Sequence, residues 1–187
     1  MSQPELQKKV AGELDRLQLD YMLTGSIAAG LHGHVRATHD IDIVTHLPLG
    51  KVKPLVASFP PPVYYLDEGA IRAAMRDETM FNLIVPADDD KVDFWMLKRF
   101  GHDQVRFARR QQRMFDGVPL MVTTPEDTIL SKLEWAKLSG GSEKQLFDCV
   151  RVYEVQFPNL DMAYLLEWIQ KLRLDDLWQR LLRDAQP

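Results

Sequence analysis

Thr24-Gly25-Ser26 is followed along the chain by Arg36-Ala37-Thr38-His39-Asp40-Ile41-Asp42-Ile43-Val44. Polar and apolar residues alternate in the second stretch, which predicts a β-strand with Asp40 and Asp42 on one face and the isoleucines facing the core. Two carboxylates held that close repel each other unless one is protonated or a cation lies between them. Because hard oxygen ligands favour Mg²⁺ or Mn²⁺ over zinc, the strand predicts a divalent metal site.

The Gly25-Ser26 pair lies where a predicted strand meets a predicted helix. Residues 21–23 form an apolar run of strand type, and the small residues of 27–31 are typical of the first turns of a helix. The start of a helix exposes backbone N–H groups at its positive end, and glycine lets an anion approach the main chain. Ser26 either adds a hydroxyl donor or caps the helix. With the carboxylate strand, the turn predicts a magnesium–nucleotide site, because phosphoryl and nucleotidyl transfer need a phosphate cradle and a metal clamp.

These motifs resemble the DNA polymerase beta-like nucleotidyltransferase superfamily, whose members carry a Gly-Ser turn, two strand carboxylates separated by one apolar residue, and a third carboxylate on a later strand. Here the third is Asp93, in the alternating segment 91–97. The resemblance implies that Asp40, Asp42 and Asp93 bind Mg²⁺ or Mn²⁺ and that a nucleoside triphosphate is the substrate. Within the superfamily, residues 33–43 resemble the bacterial abortive-infection type, whose members include toxin nucleotidyltransferases.

Two downstream segments also resemble motifs of that type: residues 124–133, with a helical lysine at Lys132, and Phe147-Asp148, with a helical aspartate. The resemblance implies catalytic roles for Lys132 and Asp148. From the residues alone, Lys132 either reaches the nucleotide phosphates or is a solvated lysine paired with a neighbour on its helix. Leu133 and Trp135 are expected to face the body of the protein. Asp148 lies among apolar residues, where an unpaired acid is costly. We therefore expect a partner for it: Lys132, Arg151 or the acceptor hydroxyl.

Arg36 and Thr38 precede the carboxylate strand and are assigned, with Gly25, Ser26 and Lys132, to nucleotide binding. Arg36 either binds phosphate through its two-pronged guanidinium group or neutralises Asp40 when no metal is bound. Four histidines lie near this stretch, but their spacing matches no zinc pattern, so we expect them to form structural hydrogen bonds. They are His32, His34, His39 and His46.

The predicted reaction is nucleotidyl transfer from a triphosphate to an acceptor hydroxyl, with release of pyrophosphate. Asp40 and Asp42 would hold Mg²⁺ on the triphosphate, and Asp93 would help bind a second ion and orient or deprotonate the acceptor. Three classes of acceptor remain open: an RNA such as tRNA, a protein, or a small molecule. A cognate toxin or antitoxin also remains open as a partner. The alternative is a noncatalytic member that binds a nucleotide or a partner. One basic run either indicates an RNA acceptor or is a solvated face. It comprises Arg106, Arg109, Arg110 and Arg113.

Composition sets further bounds. The 187 residues carry a formal net charge of -4, which argues against nonspecific nucleic-acid binding by the whole surface. The single cysteine, Cys149, excludes an internal disulfide framework and is expected to be a buried structural thiol. No continuous apolar stretch opens the sequence, and we expect a cytoplasmic protein.

The overall pattern predicts an α+β fold. The resemblance implies a small mixed sheet with flanking helices in a catalytic core of residues 1–123, and a helical region of residues 124–187 packed on it. After residue 125 the pattern is helical, with breaks at 140–141, at 158–159 and near Leu174. The predicted strands are 21–24, 40–45, 80–86, 91–97, 111–115 and 118–123, and the helices that precede residue 124 are 4–17, 49–58 and 67–76.

Overall fold

A computed structural model describes residues 1–33, 40–88 and 90–186. Within these ranges the protein is α+β, as predicted, and its strands form one mixed sheet of seven strands. Arg36 and Thr38, assigned from sequence to nucleotide binding, lie outside the described residues, as do His34 and His39.

The strands are β1 (Tyr21–Thr24), β2 (Asp40–Thr45), β3 (Tyr65–Leu66), β4 (Met80–Val85), β5 (Asp90–Met96), β6 (Gln111–Phe115) and β7 (Val118–Val122). The helices are α1 (Gln3–Arg16), α2 (Gly25–His32), α3 (Val52–Ser58), α4 (Glu68–Asp77), α5 (His102–Ala108), α6 (Pro125–Leu138), α7 (Glu143–Gln156), α8 (Met162–Leu172) and α9 (Asp175–Asp184). The predicted strands and helices are confirmed to within a residue or two, except that α3 begins three residues after the predicted start, where residues 49–51 form a 3₁₀ turn. The sequence did not predict α5 or the short β3.

The chain divides into two compact units. The first comprises Met1–Thr24 and Thr38–Val122, and the second comprises Gly25–Ala37 and Thr123–Pro187. Helix α2 belongs to the second unit because it packs on α6 and α7. The division into residues 1–123 and 124–187 stays a prediction.

In the first unit the strands lie in the order β3-β4-β5-β2-β1-β7-β6. The central pair, β2 and β5, is parallel, and each has an antiparallel neighbour on its other side. One face of this sheet is mainly apolar, with Ile41, Ile43 and Phe94 at most 1% exposed. The rings of Phe81 and Phe94 stack there with centroids 4.9 Å apart.

The opposite face is apolar only at one end. Met22, Val44 and Phe107 form a small buried cluster, with Trp95 packed against it. Since Phe107 lies in α5, this helix covers that end of the face. The other end carries Asp40 and Asp42, which are half-buried. The polar residues of the candidate site therefore stand beside a hydrophobic patch on the same sheet.

The second unit is helical. Its core includes Leu133, Cys149 and Trp178, and the predicted burial of Cys149 is confirmed because its exposure is 0%. Burial raises the pKa of the Cys149 thiol. The expectation that Trp135 faces the body of the protein is wrong: it is 47% exposed, whereas Leu133 points inward. No helix among the described residues is long and apolar enough to cross a membrane.

Candidate functional site

Three aspartates lie on one face of neighbouring strands in the first unit. Asp40 and Asp42 share a face of β2 because they are two residues apart in an extended strand. Asp93 on β5 is the direct register partner of Asp42. Paired strands lie about 4.8 Å apart, so in-register side chains on one face are neighbours. The structure thus brings together the three residues that the sequence assigned to metal binding.

Lys91 lies between two of these aspartates. Its Nζ donates a hydrogen bond of 3.0 Å to Asp93 Oδ2 and forms an ion pair of 3.3 Å with Asp40 Oδ1. The hydrogen bond with Asp93 is the main cause that raises the pKa of the Lys91 ammonium. Lys91 is the register partner of Asp40, which explains how one side chain contacts both strands. Sequence reasoning missed this contact, although its signal was present in Lys91-Val92-Asp93, where alternate residues share a face.

Two further donors hold the aspartates. Asn82 Nδ2 donates a short hydrogen bond to Asp93 Oδ1, and Asn82 lies opposite Asp93 on β4. Trp95 Nε1 donates to Asp42 Oδ1 at 3.2 Å. Asp93 is only 7% exposed, and a carboxylate with so little access to water needs such donors. Asn82 and Trp95 were not singled out from the sequence.

The donor chemistry of the three aspartates suits a hard divalent cation, since each supplies carboxylate oxygens on the same face. Among the residues described, however, no group of three or more His, Cys, Asp or Glu side chains is gathered closely enough to hold an ion. Oxygens of Asp40 and Asp93 contact Lys91 instead. The residue types therefore suit Mg²⁺ or Mn²⁺, but the carboxylates would have to close around the ion and release Lys91.

Gly25 and Ser26 begin α2 in the second unit. Gly25 has a φ of 65°, in the left-handed region that glycine adopts without strain. The far end of α2 is fixed, because His32 Nε2–H donates to the carbonyl of Thr123 at 2.7 Å and Gln156 donates to the carbonyl of His32. A side chain at Gly33 would come within 2.8 Å of the Val152 nitrogen, so α2 and α7 meet there through a glycine. His32 therefore has the structural role that was predicted.

Lys132 and Asp148 form a buried ion pair in the second unit. Lys132 Nζ lies 2.7 Å from Asp148 Oδ2 and 3.1 Å from Gln145 Oε1. Both charged side chains are 5% exposed. The partner expected for Asp148 is thus Lys132, and the alternative of a solvated lysine is wrong. The pair joins α6 to α7, which explains how a charged residue is accommodated in each helix.

The start of α6 buries two more acids. Thr124 caps the helix by accepting from the backbone N–H of Asp127, and its hydroxyl donates to the Asp127 carboxylate at 2.9 Å. The hydroxyl of Tyr164 donates to the other Asp127 oxygen at 2.6 Å. Glu126 accepts from the backbone N–H of Asp161. Thr124 therefore caps α6, and α8 is joined to the start of that helix by contacts that the sequence did not indicate.

Two arginines of the basic run are paired with acids in the first unit. Arg106 lies 2.8 Å from Asp103, and Arg110 lies 2.6 Å from Asp20. Both arginine side chains are at most 20% exposed. The run is therefore not a continuous cationic stripe.

The fold is shared with a solved nucleotidyltransferase. A crystal structure of ANT(2'')-Ia in complex with adenylyl-2''-tobramycin matches with a TM-score of 0.61 at 15% identity, over 92% of this chain and 98% of that one. A solution structure of the antibiotic-resistance factor ANT(2'')-Ia matches with a TM-score of 0.53 at 14% identity, over 97% and 95% of the two chains. At these identities the likeness shows the fold alone.

A nucleotidyltransferase-like protein from Paracoccidioides brasiliensis has a TM-score of 0.49 at 16% identity, over 95% of this chain and 91% of that one. This TM-score is too low to support an inference. No protein-family model matches the chain, and no curated protein matches its sequence.

Proposed function

We propose that this protein is a metal-dependent nucleotidyltransferase that moves a nucleoside monophosphate from a triphosphate to an acceptor hydroxyl. The observation that carries the proposal is the register of the central strands, which places Asp93 beside Asp42 and on the same face as Asp40. A fold shared with ANT(2'')-Ia supports it. Asp40, Asp42 and Asp93 would hold Mg²⁺ or Mn²⁺, which when bound would neutralise charge on the attacking and leaving oxygens.

In the proposed reaction the acceptor oxygen forms a bond to the α-phosphorus, and the bond from that phosphorus to the oxygen bridging to the β-phosphate breaks. Pyrophosphate leaves, and Asp93 orients the hydroxyl and accepts its proton. Gly25 and Ser26 would contact the outer phosphates through the start of α2, where backbone N–H groups are free of helical partners. Arg36, Thr38 and Lys132 are proposed as further phosphate contacts. For Lys132 this role requires that its ion pair with Asp148 open.

Asp42→Asn tests this proposal. The change removes a metal ligand and keeps the shape of the side chain, so we expect transfer from α-labelled ATP to be lost while the melting temperature stays within a few degrees. Thr45→Val, which is on the same strand and lies outside the carboxylate group, serves as the activity control. Full transfer by a folded Asp42→Asn protein would contradict the assignment.

We propose a small molecule or a protein as the acceptor, in preference to RNA. Arg106 and Arg110 are each neutralised by an aspartate, which removes much of the charge that would follow an RNA backbone. A labelling assay on total RNA, total protein and a panel of small polyols and amino sugars separates the three classes. A role in a toxin–antitoxin or phage-defence pair, and a cytoplasmic location, belong to the same proposal, and the identity of the neighbouring gene tests the pairing.

The second candidate is a noncatalytic protein that binds a nucleotide or a partner. The ion pairs of Lys91 favour it, because Asp40 and Asp93 already have a cationic partner. Two results together would favour this candidate. The protein would bind ATP in a metal-dependent way without transferring to any acceptor, and Asp93→Asn would leave that ATP binding unchanged.

A further inference from the structure

The ammonium group of Lys91 takes the position of a cation in the carboxylate group. Its Nζ lies 3.3 Å from Asp40 Oδ1 and 3.0 Å from Asp93 Oδ2, one oxygen from each of the two strands. The Lys91 side chain is 43% exposed, so it has room to leave. Asp93, by contrast, is held from the other side by Asn82. Of Lys91 and Asp93, the lysine is therefore the freer side chain to move.

A divalent ion bound to the same two oxygens would exclude Lys91. Asp40 Oδ1 and Asp93 Oδ2 are the two oxygens that the Lys91 ammonium contacts, so an ion that binds them would have to take the place of that ammonium group. Two cations so close would also repel each other. Only one of them can bind both carboxylates at a time.

We propose that Lys91 competes with the divalent metal for Asp40 and Asp93, and so sets the metal affinity of the site. This inference rests on the proposed function, because it takes the aspartates as metal ligands. Before metal binds, Lys91 offsets the repulsion between the two carboxylates, which the strand register places on one face. When metal binds, the ammonium moves out toward solvent. The chain thereby keeps the site assembled and at the same time lowers its affinity for metal.

Mn²⁺ titration followed by electron paramagnetic resonance tests the competition without any measurement of activity. We expect Lys91→Met to bind Mn²⁺ roughly tenfold more tightly than the wild type, the size of effect that a neighbouring unit charge has on a carboxylate equilibrium. Lys91→Arg keeps the charge and should stay near the wild type. Lys98→Met is the matched control, because Lys98 is an exposed lysine just beyond β5. In EDTA, Lys91→Met should melt slightly lower than the wild type and recover with Mn²⁺.

The outcomes separate this inference from the proposed function. Equal Mn²⁺ affinity in the wild type and Lys91→Met, with binding lost in Asp42→Asn, leaves the metal site intact and overturns the role of Lys91. Weaker binding in Lys91→Met also overturns it, since the lysine would then assist the metal. Absence of saturable Mn²⁺ binding in every variant overturns the metal site itself and the competition with it. If Lys91→Met does not fold, Lys91→Gln replaces the lysine with a neutral polar side chain. Its Mn²⁺ affinity is then compared with that of the wild type in the same way.

Discussion

The protein contains two lysine–aspartate contacts that differ in burial. In the first unit, Lys91 contacts Asp40 and Asp93 with its side chain 43% exposed. In the second unit, Lys132 and Asp148 are each 5% exposed. An exposed ion pair contributes little because water screens it, whereas breaking a buried pair leaves an unsatisfied charge in the core. The same pair of residue types therefore gives a contact that is easily exchanged in one unit and a contact that is costly to break in the other.

The largest effect is expected for Lys132→Met. It leaves the Asp148 carboxylate buried and without its lysine, which should lower the free energy of unfolding by about 3–5 kcal/mol. Urea unfolding followed by tryptophan fluorescence measures this, since Trp178 is buried in the same unit. The double variant Lys132→Met with Asp148→Leu should recover much of the loss, because neither charge then remains. A single variant as stable as the wild type would show that the pair is not buried in solution.

Tyr164→Phe asks whether burial or charge pairing decides the cost. Asp127 is 0% exposed and accepts hydrogen bonds from hydroxyl groups, those of Thr124 and Tyr164 among them. We expect a loss of about 1–3 kcal/mol in the free energy of unfolding, the cost of an unmet buried acceptor. Tyr65→Phe, at a tyrosine that is 59% exposed, is the matched control and should change stability little. Equal effects at both tyrosines would remove burial as the explanation.

The smallest effect is expected for Lys91→Met in EDTA. A pair with this exposure contributes about 0–1 kcal/mol to the free energy of unfolding, and salt should reduce the difference further. Thermal unfolding at low and high salt measures both the stability difference between the two proteins and its dependence on salt. If Lys91→Met lowered the free energy of unfolding as much as Lys132→Met does, the two lysine–aspartate contacts would not differ in energy, and the comparison between the units would be wrong.

The strands and the candidate aspartates were predictable because each depends on neighbouring residues. Alternation placed Asp40 and Asp42 on one face, and the strands predicted at 111–115 and 118–123 pair as the β6–β7 hairpin. Helix α5 was not predicted because seven residues are too few to fold alone, and its stability comes from Phe107 packing on Met22 and Val44. The exposure of Trp135 was also missed, since a helix with apolar residues around most of its surface does not show which side faces outward.

The sequence by itself determined the element types, the mixed α+β class and the three aspartates that could share a sheet face, since periodicity and turn chemistry act over a few residues. Only the tertiary structure decided what each charged group contacts. Lys91 reaches Asp40 because β2 and β5 align in parallel at one register, and Lys132 reaches Asp148 because α6 and α7 pack side by side. Such partners lie far apart along the chain, and burial of the surrounding apolar residues, which no local pattern encodes, fixes which of them meet and how strongly they interact.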